Sequence, residues 1–295
     1  FPRWSISFNE RILNIMIRII TDSAADFTQE ELRRLDIRCV PMTISFSDET
    51  YRDGVDLTSE TFWQRMQAGE TPKTSQPSPD AFLSEFEDAK ACGDSVICIL
   101  ISTALSGTVQ SAMIARDMAD DDSIQIIDTL SAAVGERLLV LQACRLRDEG
   151  KDAQTIAAEL TALIPRVRIF ACLDTLEYLA RGGRIPKAAA GVGMLVKLKP
   201  IVTVSREGLV EMAGKAIGRH RAGDTLIRMT QESGIDEGYP VLPLYTCIPD
   251  NCLAFLRQAS QAGISCDAEQ AIAIGSTIGT HIGPGAFGLA FIAKA

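Results

Sequence analysis

Ser95-Val-Ile-Cys-Ile-Leu-Ile101 is apolar at every position after its first residue and shows no polar face. A short run of this kind reads as a strand buried on both sides, as in a parallel sheet covered by helices. The flanking sequence repeats the pattern. Upstream, Ile17-Arg-Ile-Ile20 reads as a strand ending in Thr21-Asp22-Ser23, and the following helix carries Thr28 and Glu31 at capping-box spacing. Arg38 to Phe46 is another strand-like run, succeeded by a turn at Asp53-Gly54 and a helix opened by Thr58. Ser78-Pro79 marks a helix start, a capping side chain followed by a proline whose missing N–H does no harm in the first turn. Downstream, a helix from Ser106 to about Ala119, a strand at Ile124 to Ile127 and a long helix from Ser131 to Arg147 complete a β–α alternation.

Around Pro165 the pattern changes. Arg168 to Leu173 reads as a strand, Thr175 to Leu179 and Ala188 to Val196 as short helices, and Ile201–Ser205 with Leu209–Met212 as a hairpin. Strand runs at Val241–Cys247, Ala271–Ser276 and Phe287–Ile292 give a more mixed second sheet. The expected fold is α/β with two domains. A parallel-sheet domain spans 16–165 and a mixed-sheet domain 166–295, while 1–15 reads as an extension ahead of Met16.

The net charge of −9 argues against a nucleic-acid partner, because phosphate binding wants a basic excess. The best place for a local basic patch is Lys187 to Lys199 with Arg181 and Arg184. Eight cysteines form no CxxC pair and the chain has two histidines, so no zinc set is expected. Cysteines inside apolar runs read as free thiols of a reducing cytoplasm. No apolar stretch reaches the length of a membrane span, and Phe1 to Ile15 lack the pattern of a signal peptide.

One of the two histidines lies in Thr277-Ile-Gly-Thr-His281-Ile-Gly-Pro-Gly-Ala286, where the glycines suggest a constrained loop with positive φ or close backbone approach. Two hydroxyl-rich loops accompany it, Pro72-Lys-Thr74-Ser75-Gln-Pro-Ser78-Pro79 and Ser102-Thr103-Ala-Leu-Ser106-Gly107-Thr108. No arginine falls inside any of the three, which suggests a site for a small polar head group. Ser106-Gly107, at a helix start, offers free N–H groups to an anion, although plain capping explains that serine equally well. A Ser/His hydrolase with Asp22, Asp53 or Asp56 orienting the imidazole is an alternative, but the GxSxG elbow is absent. GxGxxG and GxxxxGK[ST] are absent too, so no nucleotide cofactor is expected.

Seven segments in this order resemble the DegV family of bacterial fatty-acid-binding proteins. They are Ile20-Thr-Asp-Ser23, Thr74-Ser-Gln-Pro77, Ser102-Thr-Ala-Leu-Ser-Gly-Thr108, Gln110-Ser-Ala112, Leu179-Ala-Arg-Gly-Gly-Arg-Ile185, Leu198-Lys-Pro-Ile201 and His281-Ile-Gly-Pro-Gly-Ala286. The resemblance runs from about Met16 to the C-terminus. It implies one long-chain fatty acid held between two α/β domains, with its carboxyl end at Thr74, Ser106 and His281. Ser75, Ser102, Thr103, Gly107 and Thr280 stand in the same loops as further head-group candidates. It also implies presentation of the carboxyl to a separate ATP-dependent fatty acid kinase subunit, which makes acyl phosphate for phospholipid metabolism. The binding protein would have no catalytic residue, cofactor or metal of its own. A lipid-sensing module without a kinase is the other alternative. Arg181 and Arg184 read as an exposed turn suited to kinase docking, and transient contact with a membrane surface is compatible with the role.

Overall fold

The computed structural model describes residues 16–185 and 198–295. Its first half runs β1 (Ile17–Asp22), α1 (Gln29–Leu35), β2 (Ile37–Val40), β3 (Thr43–Phe46), β4 (Glu49–Arg52), α2 (Ser59–Gln67) and β5 (Lys73–Ser75). It continues with α3 (Pro79–Cys92), β6 (Ser95–Leu100), α4 (Thr108–Ala119), β7 (Gln125–Asp128), α5 (Val134–Asp148) and α6 (Ala153–Leu163). A 3-10 turn at Ile164–Arg166 leads into β8 (Val167–Cys172), α7 (Glu177–Arg181), β9 (Leu198–Val204), β10 (Val210–Ile217) and α8 (Arg219–Ser233). The chain ends with β11 (Leu242–Tyr245), α9 (Pro249–Gln261), β12 (Ile272–Ala273), α10 (Ser276–Ile282) and β13 (Phe287–Ile292).

The all-apolar run sits in the middle of a parallel sheet of order β2-β1-β6-β7. Because strand side chains alternate, Val96, Cys98 and Leu100 meet Phe82 and Phe86 of α3 and Ala112 of α4. Ile97 and Ile99 point the other way, against Leu139 and Ala143 of α5 and Leu160 of α6. With both faces covered, each of these side chains contributes about 1.5–3 kcal/mol of burial, and no polar face is left to write into the sequence. The capping box forms: Thr28 accepts the Glu31 N–H at 3.2 Å, and the Glu31 carboxylate accepts the Thr28 N–H at 2.9 Å. Ser78 caps α3 with Pro79 in the first turn.

The second sheet has the order β10-β9-β8-β13-β11-β12, antiparallel except for the β11–β12 pair. Helices α8 and α9 cover its outer face through Leu226, Phe255 and their neighbours. Its inner face shares one apolar cluster with the first sheet through α5, which is buried along almost its whole length.

Several boundaries differ from the sequence reading. The run from Arg38 to Phe46 is two strands, because Pro41 has no N–H for a ladder. β2 joins the parallel sheet, while β3 leaves for a small antiparallel sheet of order β4-β3-β5. The expected strand from Ala271 to Ser276 shrinks to the two residues of β12, and Ser276 instead opens α10. The helix expected at 188–196, most of the basic patch and the extension 1–15 lie outside the described residues. No helix among the described residues is long and apolar enough to cross a membrane.

Candidate functional site

β5 pairs with β3 in antiparallel register, Thr74 opposite Ile44, and this places the Thr74 side chain beside the last turn of α10. There Thr74 Oγ1 and His281 Nε2 lie 2.9 Å apart, joining residues 207 positions apart in the chain. Ser106 stands in the loop ahead of α4 with its Oγ 2.8 Å from Thr108 Oγ1. Gly107, not Ser106, is the N-cap residue, and no side chain caps this helix. Thr74, Ser75, Ser106 and His281 line one cavity. Away from these polar residues its walls are apolar, among them Met42, Ile101, Ala133, Ile169, Val202 and Leu244. A few polar residues beside an apolar wall suit an amphiphile.

The glycines around His281 have local causes. Gly283 and Gly285 do adopt positive φ, at 70° and 83°. His281 itself is on a helix rather than the expected loop, and Gly279 lies within that helix because α2 presses on it. A Cβ there would stand 2.9 Å from the Trp63 ring and 3.0 Å from Phe62. At the last turn, Gly182 is the only residue type that leaves room for His281 Nδ1, and Gly283 does the same for the Tyr178 ring. Burial, then the positive charge of Arg184, lowers the His281 pKa to about 4. The ring is therefore neutral at pH 7, with Nδ1 buried and without a hydrogen-bond partner.

The carboxylates considered for a triad are elsewhere. Asp22 accepts from the N–H groups of Ala24 and Ile101, Asp53 from the Thr277 hydroxyl, and Asp56 pairs with Arg52. A triad needs a carboxylate on Nδ1 and the serine on Nε2, and neither contact exists.

Other candidates have structural partners. Ser102 is fully buried and turns its loop by accepting the Ala104 N–H at 3.1 Å. Thr103 binds Asp128 at 2.5 Å, and Thr280 returns its hydroxyl to the Ser276 carbonyl at 2.8 Å. Arg181 is exposed and paired with Glu177. Arg184 is half-buried, contrary to the exposed turn expected from the sequence. Its Nε donates to the Leu105 carbonyl at 3.1 Å, its Nη1 donates to the Gly182 carbonyl at 2.6 Å, and it lines the cavity. An arginine thus stands at a site expected to have none, but with Nε engaged it offers a carboxylate positive potential rather than a free Nε–Nη2 fork. Gln76, inside the Thr74-Ser-Gln-Pro77 segment, also lines the cavity, a position that its residue type alone does not signal. Outside the Thr74–His281 pair a second pocket opens, lined by Lys73, Arg181 and Arg184. Among the described residues no group of three or more His, Cys, Asp or Glu is placed to hold a metal ion.

The family model described as "Uncharacterised protein, DegV family" matches residues 16–294. The chain belongs to the DegV family. A DegV domain-containing protein of Caldanaerobacter subterraneus is 34% identical over 278 residues, which cover 94% of this chain and 99% of that one. Another, from Lactococcus lactis, is 34% identical over 285 residues, 94% of this chain and 98% of that one. Among solved structures, a DegV family protein from Thermus thermophilus described for its fatty acid binding superposes with a TM-score of 0.84 at 33% identity. That match covers 95% of this chain and 100% of the other. A stearic acid-binding protein from Eubacterium ventriosum gives a TM-score of 0.84 at 28% identity, covering 95% and 99%. The DegV fold, a parallel-sheet unit with a mixed-sheet unit, is the fold of this chain.

Proposed function

We propose that this protein binds one long-chain fatty acid in the cavity between its two sheets and presents the carboxyl group to a separate ATP-dependent kinase subunit for acyl phosphate formation. The supporting observation is the largely apolar cavity lined by Thr74 and His281, which are in contact, and by Ser106. The fatty acid binding of the Thermus thermophilus relative and the stearic acid of the Eubacterium ventriosum protein supply the ligand class. The carboxyl end meets Thr74, Ser106 and His281, with Ser75 beside them, and the tail follows the apolar wall. The protein acts as a carrier, without a catalytic residue, cofactor or metal of its own. All eight cysteines are free thiols, four of them buried, which suits a reducing cytoplasm.

Presentation to a kinase draws on the pocket outside the Thr74–His281 pair, lined by Lys73, Arg181 and Arg184 beside Glu70, through which a phosphoryl donor approaches the carboxyl oxygen. The two arginines then differ. Arg181 is solvent-exposed and serves docking, whereas Arg184 also shapes the cavity through the Leu105 carbonyl. Arg181→Glu should leave fatty acid affinity unchanged and slow acyl phosphate formation, most strongly at low salt, where charge steering acts. Arg184→Glu should reduce both. Titration with a fluorescent fatty acid and a coupled ATP assay with the kinase measure the two. Full acyl phosphate formation at low salt by Arg181→Glu contradicts the docking role.

A further inference from the structure

Two carboxylates lie beneath the polar end of the cavity without touching it. Asp53 Oδ2 accepts the Thr277 hydroxyl at 2.6 Å, and Asp26 Oδ1 accepts the Gly275 N–H at 2.8 Å. Both bonds run from the first half of the chain to the start of α10, across 224 and 249 positions. Asp53 is 5% exposed and is itself fixed, its N–H donating to the Met42 carbonyl at 2.8 Å. A Cβ at Gly275 would reach to 3.0 Å from Asp26 Oδ1, so the approach is close. One turn along the same helix from Thr277 stands His281.

α10 has the sequence Ser-Thr-Ile-Gly-Thr-His-Ile, poor in strong helix formers and too short to hold its shape alone. Its place is therefore set by what grips it. Trp63 and Phe62 press on its middle, Gly182 and Tyr178 meet its end, and the two carboxylates take its start. Packing limits how close the helix comes, but directional bonds to an ionisable acceptor fix its rotation and its position along its own axis.

We propose that Asp53 and Asp26 are positioning residues for the head-group site, fixing the first turn of α10 and through it the placement of His281 Nε2 against Thr74 Oγ1. The proposal rests on His281 as a carboxyl-binding residue, and its test reads the imidazole directly in lipid-free protein. The chain has two histidines, so the His281 ring signal is separated from one other imidazole only, that of His220, whose side chain is 81% exposed beside Asp224. Long-range proton–nitrogen NMR across about pH 4 to 8 follows the His281 ring. In Asp53→Ala the His281 midpoint should move up from about 4 toward the unperturbed ~6.5, and fatty acid affinity should fall by roughly three- to tenfold. Asp53→Asn, whose amide carbonyl still accepts from Thr277, should restore both. Thr277→Val removes the hydroxyl donor while keeping both carboxylates and the Ser276 side-chain and Thr277 N–H contacts to Asp53, and it should move both readouts in the alanine direction, by less, even if Asp53→Ala fails to fold. An unchanged His281 midpoint in folded Asp53→Ala and Thr277→Val overturns the proposal. A shifted midpoint with unchanged lipid affinity upholds the positioning role and counts against His281 as a head-group residue.

Discussion

A neutral imidazole touching a threonine hydroxyl can hold a carboxylate and an acyl phosphate alike, since neither group demands a fixed charge on its partner. Such bonds are weak one by one. A neutral hydrogen bond contributes about 0.5–1.5 kcal/mol net, whereas some fourteen buried methylenes contribute on the order of 11 kcal/mol gross. On the proposed reading the tail therefore sets affinity and the head-group residues set placement. Thr74→Val, Ser106→Ala and His281→Ala should each weaken fatty acid binding only about two- to tenfold, with acyl phosphate formation falling further; fluorescent fatty acid titration beside the kinase assay separates the two. The pH dependence follows from the lowered pKa. His281 is neutral in the folded state down to about 4, against ~6.5 unfolded. Its protonation therefore costs nothing above about pH 6.5 and removes stability as pH falls from there toward 4. Binding should accordingly show no His281 titration between about pH 5.5 and 8. A binding midpoint near 6.5 that disappears in His281→Ala would contradict a buried neutral ring.

Helix α10 shows how a segment's neighbours override its composition. By propensity alone, Gly279→Ala should stabilise a helix by about 1 kcal/mol. Against Trp63 at 2.9 Å and Phe62 at 3.0 Å the added methyl has no room, so the expected outcome is a loss of about 1–3 kcal/mol, read as a lower urea midpoint. A raised midpoint would mean that α2 does not press on α10. The same tension explains what could be read from the sequence. β6 announced itself because burial on both faces removes every polar residue, and Thr28-Glu31 and Ser78-Pro79 announced helix starts because capping is local chemistry. Thr74, Ser106 and His281 could be singled out by residue type, and the structure brings all three to one cavity. That His281 rides a helix could not be read, because Asp26, Asp53 and Trp63 hold that helix from more than two hundred positions away. Nor could the small β4-β3-β5 sheet, whose strands have three or four residues and little apolar pattern. Arg184 was visible as part of an Arg-Gly-Gly-Arg run, but its inward path depends on the Leu105 carbonyl.

Across the molecule, the interior between the sheets holds more carboxylates than a core usually tolerates. Asp22, Asp53 and Glu136 are each 5% exposed or less. Burial raises all three pKa values, along with that of Asp26, and repulsion from neighbouring carboxylates adds to the shift at Asp22, Asp26 and Glu136. For Asp22 the value reaches about 7, although the Ile101 and Ala24 N–H groups oppose the rise. A carboxyl with a raised folded pKa costs nothing while both states are protonated. Its penalty grows as pH climbs from the unfolded value of ~3.9 to the folded one and then levels off. Four such carboxyls outweigh the single opposing proton of His281, so urea unfolding should show stability declining between about pH 4 and 7, by at most ~1.4 kcal/mol per pH unit for each such proton. Asp22→Asn should flatten that decline, whatever it does to absolute stability by losing one of the two acceptors. A slope unchanged by Asp22→Asn would show that Asp22 does not titrate there.

The proposed ligand is of one kind, and the mass of the intact protein reports it. Native mass spectrometry of protein purified from cells should show one long-chain fatty acid per chain. Delipidated protein should take one back from solution, and His281→Ala and Thr74→Val should exchange it faster. Protein that emerges at its bare mass and takes up no added fatty acid contradicts the lipid-carrier reading.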